Sequence, residues 1–531
     1  MLILKKYNSL KFFLKDRVFL DKNEKKFIDY NKKKWKNVNN KKNKGIILVD
    51  LFSWNPLIFF WSYITNLIAL KKNYEIKYFY FDFDQNRMSK FKYYIKKAKK
   101  IFKSFNVTKG ISEYDFNYSK QDLIKYKRNF KKIKSKRNLI NYHKGGIKIG
   151  DLIYDTYLRI HYEPTLKLDD ERLKTIFLRS EKIFEVVTNY FKKKKVKILI
   201  PSHVCYMSYG IIVRIASKLG VPVVKVKAEN GSNAGFRLTL LDPKYNLDEP
   251  RYYNYKSEFK NLSKLEKKKA ITIGKKIIKN RVSGKFDNNI PYIKKSTFRK
   301  SSLNKIKNIQ NKPKIILFLH CFYDNPHRFR SMIFNDFYEQ IYFILELSKK
   351  LKNYQFYFKS HPNEYKGFFD IHKKIAREYK NITYIDQDVS HYEILKLKPK
   401  CIISNHGTVA HEYAYFDVPV LNTGDNAHIN YDFCLHIKSK KELKETLLNL
   451  DKKISKIKFD RNKIYEYLYM HYQYVRNINK ENQLLNDSYF ASKNVNLNKS
   501  SEILKRYIKT SIKTDSKIKE YIHFFLNQNG I

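Results

Sequence analysis

The chain runs to 531 residues, too long for one ordinary hydrophobic core, so two or three domains are expected. Hydrophobic and aromatic shares of 43% and 16% exclude wholesale disorder. The net charge of +59 comes from 109 basic residues, about 18 of them arginine. A lysine excess beside abundant Asn, Ile and Tyr is what an AT-rich genome produces, and it bears on solubility and non-specific attraction rather than on fold. Weak adhesion to an anionic membrane surface or to nucleic acid follows from it. Cys205, Cys321, Cys401 and Cys434 are far apart with no CxxC pair, which argues against a zinc site or a disulfide framework and suits a reducing cytoplasm. The first six residues lack the pattern of a signal peptide, and Asp50, Asn55 and Pro56 interrupt the apolar stretch 46–70. The expected location is therefore cytoplasmic, peripheral at the inner face of the membrane.

In chain order, residues 1–44 read as a basic, irregular lead-in. Residues 45–50 read as a buried strand, 56–70 as a helix and 75–81 as a second strand, the opening of a parallel α/β domain. A Lys-rich, poorly patterned stretch covers about 85–145. The pattern resumes with a helix over 170–193, a strand over 196–200, a helix over 208–219 stopped by Gly220, and a strand over 221–226. Residues 241–312 read as a linker with one helix over 262–279. From Pro313 a second α/β unit alternates strands (315–320, 354–358, 382–385, 401–404, 418–421) with helices (334–351, 365–379, 391–397, 408–416). The expected domains are 45–240 and 313–450, with a helical tail over 451–531 able to cross back.

Two segments carry the strongest chemical signal. Lys359-Ser360-His361-Pro362-Asn363-Glu364 and Ser404-Asn405-His406-Gly407-Thr408, with Glu412 one turn later, each follow an apolar strand and precede a helix. In an open α/β sheet, ligands bind beyond the carboxyl ends of the strands, and helix N-termini there suit phosphate. His361 can donate to a phosphate oxygen, Gly407 permits close backbone approach, and Glu412 can accept both hydroxyls of a ribose. Each also has a plain structural reading: a strand-end His, an N-capping Thr408, a solvated Glu412. The loop 320–328 ends the unit's first strand, so His320, Asp324 and Arg328 face the same crevice, although Asp324-Asn325-Pro326 also reads as a surface turn.

The order H-P, then S-x-x-G-T-x-x-x-E, then V-P-V-L over residues 313–430 resembles the C-terminal half of GT-B glycosyltransferases. It is similar above all to bacterial capsule polysaccharide enzymes of the Kdo transferase and polysialyltransferase types. Non-hydrolysing UDP-GlcNAc 2-epimerases share a comparable layout. The resemblance implies an α/β fold of two Rossmann-like domains facing a cleft, a nucleotide-sugar donor in the second domain, a glycan or lipid-linked acceptor in the first, and neither cofactor nor metal. On that reading His361, Ser404, Gly407 and Thr408 hold phosphate, and Glu412 holds ribose. The second motif departs from a simple Ser pair, which leaves the nucleotide open.

For the base that an inverting transferase needs, Asp151 and Asp155 share one helix face with Arg159, and His203 follows a strand. These three are the catalytic candidates, with Glu229-Asn230-Gly231 a further option. Phe81-Asp82-Phe83-Asp84 is similar to the DxD metal motif of GT-A glycosyltransferases, a reading that predicts chelator sensitivity. Trp54, in an aromatic group with Phe52, Phe59, Phe60 and Trp61, can stack on a sugar or pack in the core. The leading function is a metal-independent glycosyltransferase building a capsule- or lipopolysaccharide-type surface glycan. A sugar-nucleotide 2-epimerase and a CDP-glycerol-type transferase are the enzymatic alternatives. A basic nucleic-acid-binding protein is the non-enzymatic one, and no RNP, KH, zinc or helix-turn-helix signature supports it, so no specific nucleic acid is expected.

Overall fold

Strand β1, Ile46–Asp50, is buried along its whole length, and its side chains alternate between two cores. Ile47 and Val49 enter one, Ile46 and Leu48 the other, as a parallel strand covered on both faces requires. The computed structural model describes residues 18–36, 44–51, 55–82, 88–229, 235–242, 252–284, 296–299, 306, 309–328, 332–379, 381–474 and 519–531. β1 is flanked by β2 (Glu75–Tyr80) on one side and β6 (Val196–Ile200) on the other, and β3 (Thr108–Ser112) extends the sheet in the order β3-β2-β1-β6, all parallel. The chain thus leaves β1 in one direction and later returns to its opposite edge, a topological switch point between β1 and β6.

The second sheet repeats the device. β9 (Lys314–Phe318) lies between β10 (Gln355–Lys359) and β12 (Cys401–Ser404), in the order β11-β10-β9-β12-β13-β14. β11 is Ile382–Ile385, β13 Val420–Asn422 and β14 Leu435–His436, and every pair is parallel. Ile315 and Leu317 face one core and Ile316 the other. The fold is α/β, two parallel sheets each packed on both faces.

Three stretches differ from the sequence reading. The stretch over 85–145 is ordered into the helix Met88–Lys103, β3, the capped helix Lys120–Lys131, the helix Lys136–Ile140 and a short hairpin of β4 (His143–Lys144) and β5 (Ile147–Lys148). Its lysines mask a regular apolar spacing: Ile95, Ala98, Ile101, Phe102 and Phe105 are buried, while Lys96 and Lys100 between them are exposed and Lys97 pairs with the buried Glu24. The strand read at 221–226 is instead β7 (Val224–Glu229), antiparallel to β8 (Gly235–Leu240) and joined to β6 only by the bridge Leu199–Val223. In the lead-in, the helix Lys22–Lys34 buries Phe27 and Ile28, and Trp35 follows them into the core. The helix Lys264–Val282 packs on the second domain, beside the helix Arg461–Tyr469. The terminal segment returns to the first, where Tyr521, Ile522, Phe525 and Leu526 join the core of Ile47 and Trp61.

A polar seam holds the two domains face to face. Asp336, fully buried, accepts hydrogen bonds from Tyr154 Oη and from Thr165 Oγ1 (2.6 Å), and Lys136 Nζ lies 3.4 Å away. Its other oxygen accepts the Glu339 N–H at 2.8 Å and so caps the helix Phe337–Lys350. Removing the carboxylate takes the acceptor from the Tyr154 and Thr165 hydroxyls, the Lys136 ammonium and the Glu339 N–H in a largely buried contact, at a cost of roughly 2–4 kcal/mol. Asp336→Ala is expected to lower the urea midpoint accordingly, with Asp336→Asn intermediate; equal midpoints for all three proteins would show that the seam contributes nothing.

Candidate functional site

The carboxyl ends of β9, β10 and β12 bring three imidazoles together at the second sheet's switch point. His320 stacks on His361 at 5.5 Å and meets His406 edge-on at 5.3 Å, while Phe337 backs it at 4.6 Å. Burial lowers all three pKa values, and His320 presses the other two down further. His361 falls to about 3, so at neutral pH it is uncharged. Its tautomer follows from its partners. Nδ1 accepts the Asn363 N–H at 3.2 Å and faces Cys321 Sγ at 3.1 Å, which leaves the ring proton on Nε2 as a donor. His406 is oriented the other way, its Nδ1–H donating to the Asp425 carbonyl at 3.2 Å. Sequence reasoning quoted His406 without making it a candidate, although its place directly after a strand was signal enough.

Around this cluster, Asp324 and Arg328 are exposed, and both their charges act on His320. Lys359, the last residue of β10, is buried with Nζ donating to the Ser360 and Gln387 carbonyls, and burial pulls it down to about 7. Glu364 is pushed up to about 8 by burial, although it accepts the Phe322 and Tyr365 N–H groups. The HPN turn therefore offers a neutral imidazole donor next to a carboxyl that is protonated at neutral pH.

Ser404 and Gly407 sit between this cluster and a second group. The Ser404 carbonyl accepts the Thr423 N–H at 2.9 Å, and a Cβ on Gly407 would stand 3.0 Å from Ser404 Oγ. Thr408 is the N-cap of the helix Val409–Tyr415, but its side chain makes no cap bond; Oγ1 accepts from Arg281 Nη2 at 3.0 Å. Glu412, wholly buried, is gripped by the same guanidinium, and His391 Nδ1 lies 3.3 Å from its other oxygen. Against the effect of burial, Arg281 holds this carboxyl well below the usual range. His391 packs among Phe298, Phe318 and Tyr413, on the core facing Ile316, whereas Phe337 belongs to the core facing Ile315. The structure thus gathers His320, His361 and His406 in one group and Thr408, Glu412, Arg281 and His391 in another. Arg281, from the linker, and His391 were both missed.

In the first domain, Asp151 forms a two-point ion pair with Arg214 (2.7 and 2.8 Å); burial alone would raise its pKa, but the guanidinium keeps it below the ordinary value. Asp155 reaches across the seam to the His327 ring Nδ1–H at 2.6 Å. Burial raises the pKa of Asp155, and His327 is raised by that same carboxylate despite its own burial. His203 stands exposed after β6 with Nδ1 2.9 Å from Ser202 Oγ, which itself donates to the buried Asp50. Burial pushes Asp50 up to about 7. These residues end β1 and β6 at the first sheet's switch point. Asp82 offers its backbone to Glu113 and Arg179, while Phe83, Asp84, Phe52, Trp54, Asn230 and Gly231 lie outside the described residues, as do the side chains of Phe59, Phe60 and Glu229. Trp61 is fully buried core. Among the described residues no group of three or more His, Cys, Asp or Glu is arranged to hold a metal, and no helix is long and apolar enough to cross a membrane.

The fold defines a two-domain α/β protein with a switch point in each parallel sheet and polar contacts across the seam between them. No protein-family model matches the chain, and no curated protein does. Similar solved structures include UDP-GlcNAc 2-epimerase from Neisseria meningitidis bound to UDP-GlcNAc, at 12% identity and TM-score 0.24, covering 82% of this chain and 99% of that one. Thermosulfurimonas dismutans KpsC, a beta Kdo 2,4 transferase, is 10% identical with TM-score 0.32, over 52% and 79% of the two chains. The wall teichoic acid polymerase TagF is 13% identical with TM-score 0.20, over 96% of each. At these scores the likeness assigns neither an activity nor a residue role.

Eight imidazoles of the second domain (His320, His361, His372, His391, His406, His411, His428 and His436) have lowered pKa values, desolvation being the first cause in each. Below the ordinary value the unfolded chain takes up protons that the folded one refuses. Their contribution is therefore complete above pH ~6.5 and lost as pH falls, at ~1.4 kcal/mol per pH unit for each group between its two pKa values. Urea midpoints are expected to drop steeply from pH 7.5 to pH 5. A flat profile would mean that these rings are not held neutral.

Proposed function

We propose that the chain is a glycosyltransferase of the GT-B type. It takes a nucleotide-linked sugar at the rim of the second domain and passes the sugar to a hydroxyl held against the first. The observation that carries this reading is the group of His320, His361 and His406 at the switch point, with His361 presenting a neutral Nε2–H donor. Neutral donors held rigidly in a water-poor rim stabilise charge that develops on a leaving phosphate without reorganising. The departing nucleotide phosphate gains that charge as the bond to the anomeric carbon breaks.

For the base, His203 is favoured over the two aspartates. Arg214 occupies both oxygens of Asp151, and His327 engages Asp155, whereas the His203 ring is exposed and held from behind by Ser202. His203 would take the proton of the acceptor hydroxyl as that oxygen attacks the anomeric carbon. No step calls for a metal. The surface-glycan class of acceptor rests on the capsule-enzyme resemblance, and the lysine-rich surface suits an acceptor on an anionic membrane.

Thermal stabilisation by CMP-, UDP-, GDP- and CDP-linked donors tests the pocket. One donor class should raise the melting temperature, and His361→Ala should weaken it about 10-fold, the worth of one hydrogen bond to a charged group. His203→Ala should bind the donor as the wild type does and lose about 10²–10⁴ in turnover. Turnover should survive a chelator and need an acceptor; release of an epimerised sugar without acceptor would favour the epimerase. If no donor stabilises the protein, the transferase reading fails.

A further inference from the structure

Six of the arginines in the described residues sit against carboxylates: Arg172 on Asp170, Arg179 on Glu113, Arg214 on Asp151, Arg281 on Glu412, Arg299 on Asp388 and Arg461 on Asp417. Arg159 does not, although it is half-buried and lies at the domain seam. It occupies the same helix face as Asp151 and Asp155, one turn beyond the Asp155–His327 contact, in the helix Gly150–His161. Its ring contact is with the second domain, while Tyr206 and Tyr162 of its own domain lie close enough to favour its charge. Its guanidinium carbon lies 4.7 Å from the centre of the Tyr323 ring. An arginine laid on an aromatic ring keeps its N–H fork planar and its edge available for a two-point bond to an oxyanion.

The place is specific. Tyr323 Oη donates to the Asn363 carbonyl at 3.3 Å, inside the turn that carries His361. Cys321, whose sulfur is 3.1 Å from His361 Nδ1, feels the Arg159 charge, which opposes the upward push of burial on the thiol. Tyr162, which ends the same helix in the left-handed conformation (φ 51°), packs on Tyr323 at 5.4 Å and on Tyr365 at 4.8 Å. The tyrosines thus frame the guanidinium next to the HPN turn. The nearby acid is Asp324, which is exposed and makes no hydrogen bond to Arg159.

We infer that Arg159 is an oxyanion-binding residue which the first domain contributes across the seam, next to His361, to hold a phosphate or carboxylate group of the substrate. This rests on the transferase reading for the identity of the substrate, though not for the chemistry of the anion. The oxyanion has two candidate sources, the phosphate of the donor nucleotide and an acidic sugar of the acceptor. A cation on one domain that binds a group seated on the other also links substrate binding to the facing of the two rims.

Calorimetric titration of the full chain separates these. The probes are inorganic pyrophosphate, the nucleotide selected in the donor screen, its parent nucleoside and a glucuronate-containing oligosaccharide. Arg159→Ala, and the uncharged near-isostere Arg159→Gln, should weaken pyrophosphate and nucleotide at least about 10-fold and leave the nucleoside unchanged, with Arg159→Lys recovering part of the loss. Because Arg159 has no carboxylate to strand, the urea midpoint should not move, and Arg159→Gln serves if the alanine variant is destabilised. A loss confined to the oligosaccharide supports the oxyanion role and assigns it to the acceptor. Arg159-dependent binding of pyrophosphate in a protein that binds no nucleotide sinks the transferase reading and leaves this one standing. Unchanged binding of every anion in Arg159→Gln overturns the inference, as does a wild type that binds none of them.

Discussion

The chemistry of the two rims depends on how the two sheets are held opposite one another, and the chief tie is one buried carboxylate. Asp336 ends the loop after β9 and caps the helix Phe337–Lys350, so its position is fixed by the second domain. Its remaining oxygen collects donors from three places in the first domain. A buried charge with too few partners is expensive, so the contact is satisfied in one arrangement and strongly unsatisfied in others. Asp155–His327 adds a second polar tie close by. Between them they set the distance and angle at which the end of β6 looks at the end of β10.

Burial then decides the chemistry that the rim can offer. The chain carries +59 overall, yet His361 and His406 are held in the neutral form, because the desolvation cost of an imidazolium in a packed interior exceeds what the few nearby acids return; His327, on the Asp155 carboxylate, is the exception in this domain. A neutral ring has one donor and one acceptor, and the backbone chooses which is which: Asn363 for His361, Asp425 for His406. Two rings with opposite tautomers, one on each side of His320, make a surface that donates at one point and accepts at another. That is a more discriminating arrangement than a cluster of positive charge.

Much of the architecture was legible because strand-forming apolar runs stop abruptly at polar residues. β1, β6, β9, β10 and β12 stand out that way, and the parallel order puts the ends of β1 and β6 at one rim of the first sheet and those of β9, β10 and β12 at one rim of the second. β3 and the helix Met88–Lys103 were hidden by lysines whose stems lie along apolar surface, which breaks the polar–apolar spacing that the eye follows. β8 and β14 are too short or too isolated to register. Within the site, a residue type and its strand position could be read, but not its partner. The Arg214 partner of Asp151 comes from 63 positions away, and the Arg281 partner of Glu412 from 131. Long-range pairing of this kind leaves no local trace.

A glycine in the middle of the linker helix carries a last consequence. A Cβ on Gly274 would stand 2.0 Å from the Tyr465 carbonyl oxygen, so the helices Lys264–Val282 and Arg461–Tyr469 touch backbone to backbone. The segment between the sheets is therefore mechanically part of the later one, and it delivers Arg281 to the Glu412 carboxylate. A fragment cut at Pro313 would keep every strand of that sheet and leave the buried Glu412 carboxyl without its guanidinium partner. The smallest autonomous piece of the molecule bearing the histidine rim begins upstream of the linker helix, well before the first strand that its topology would suggest.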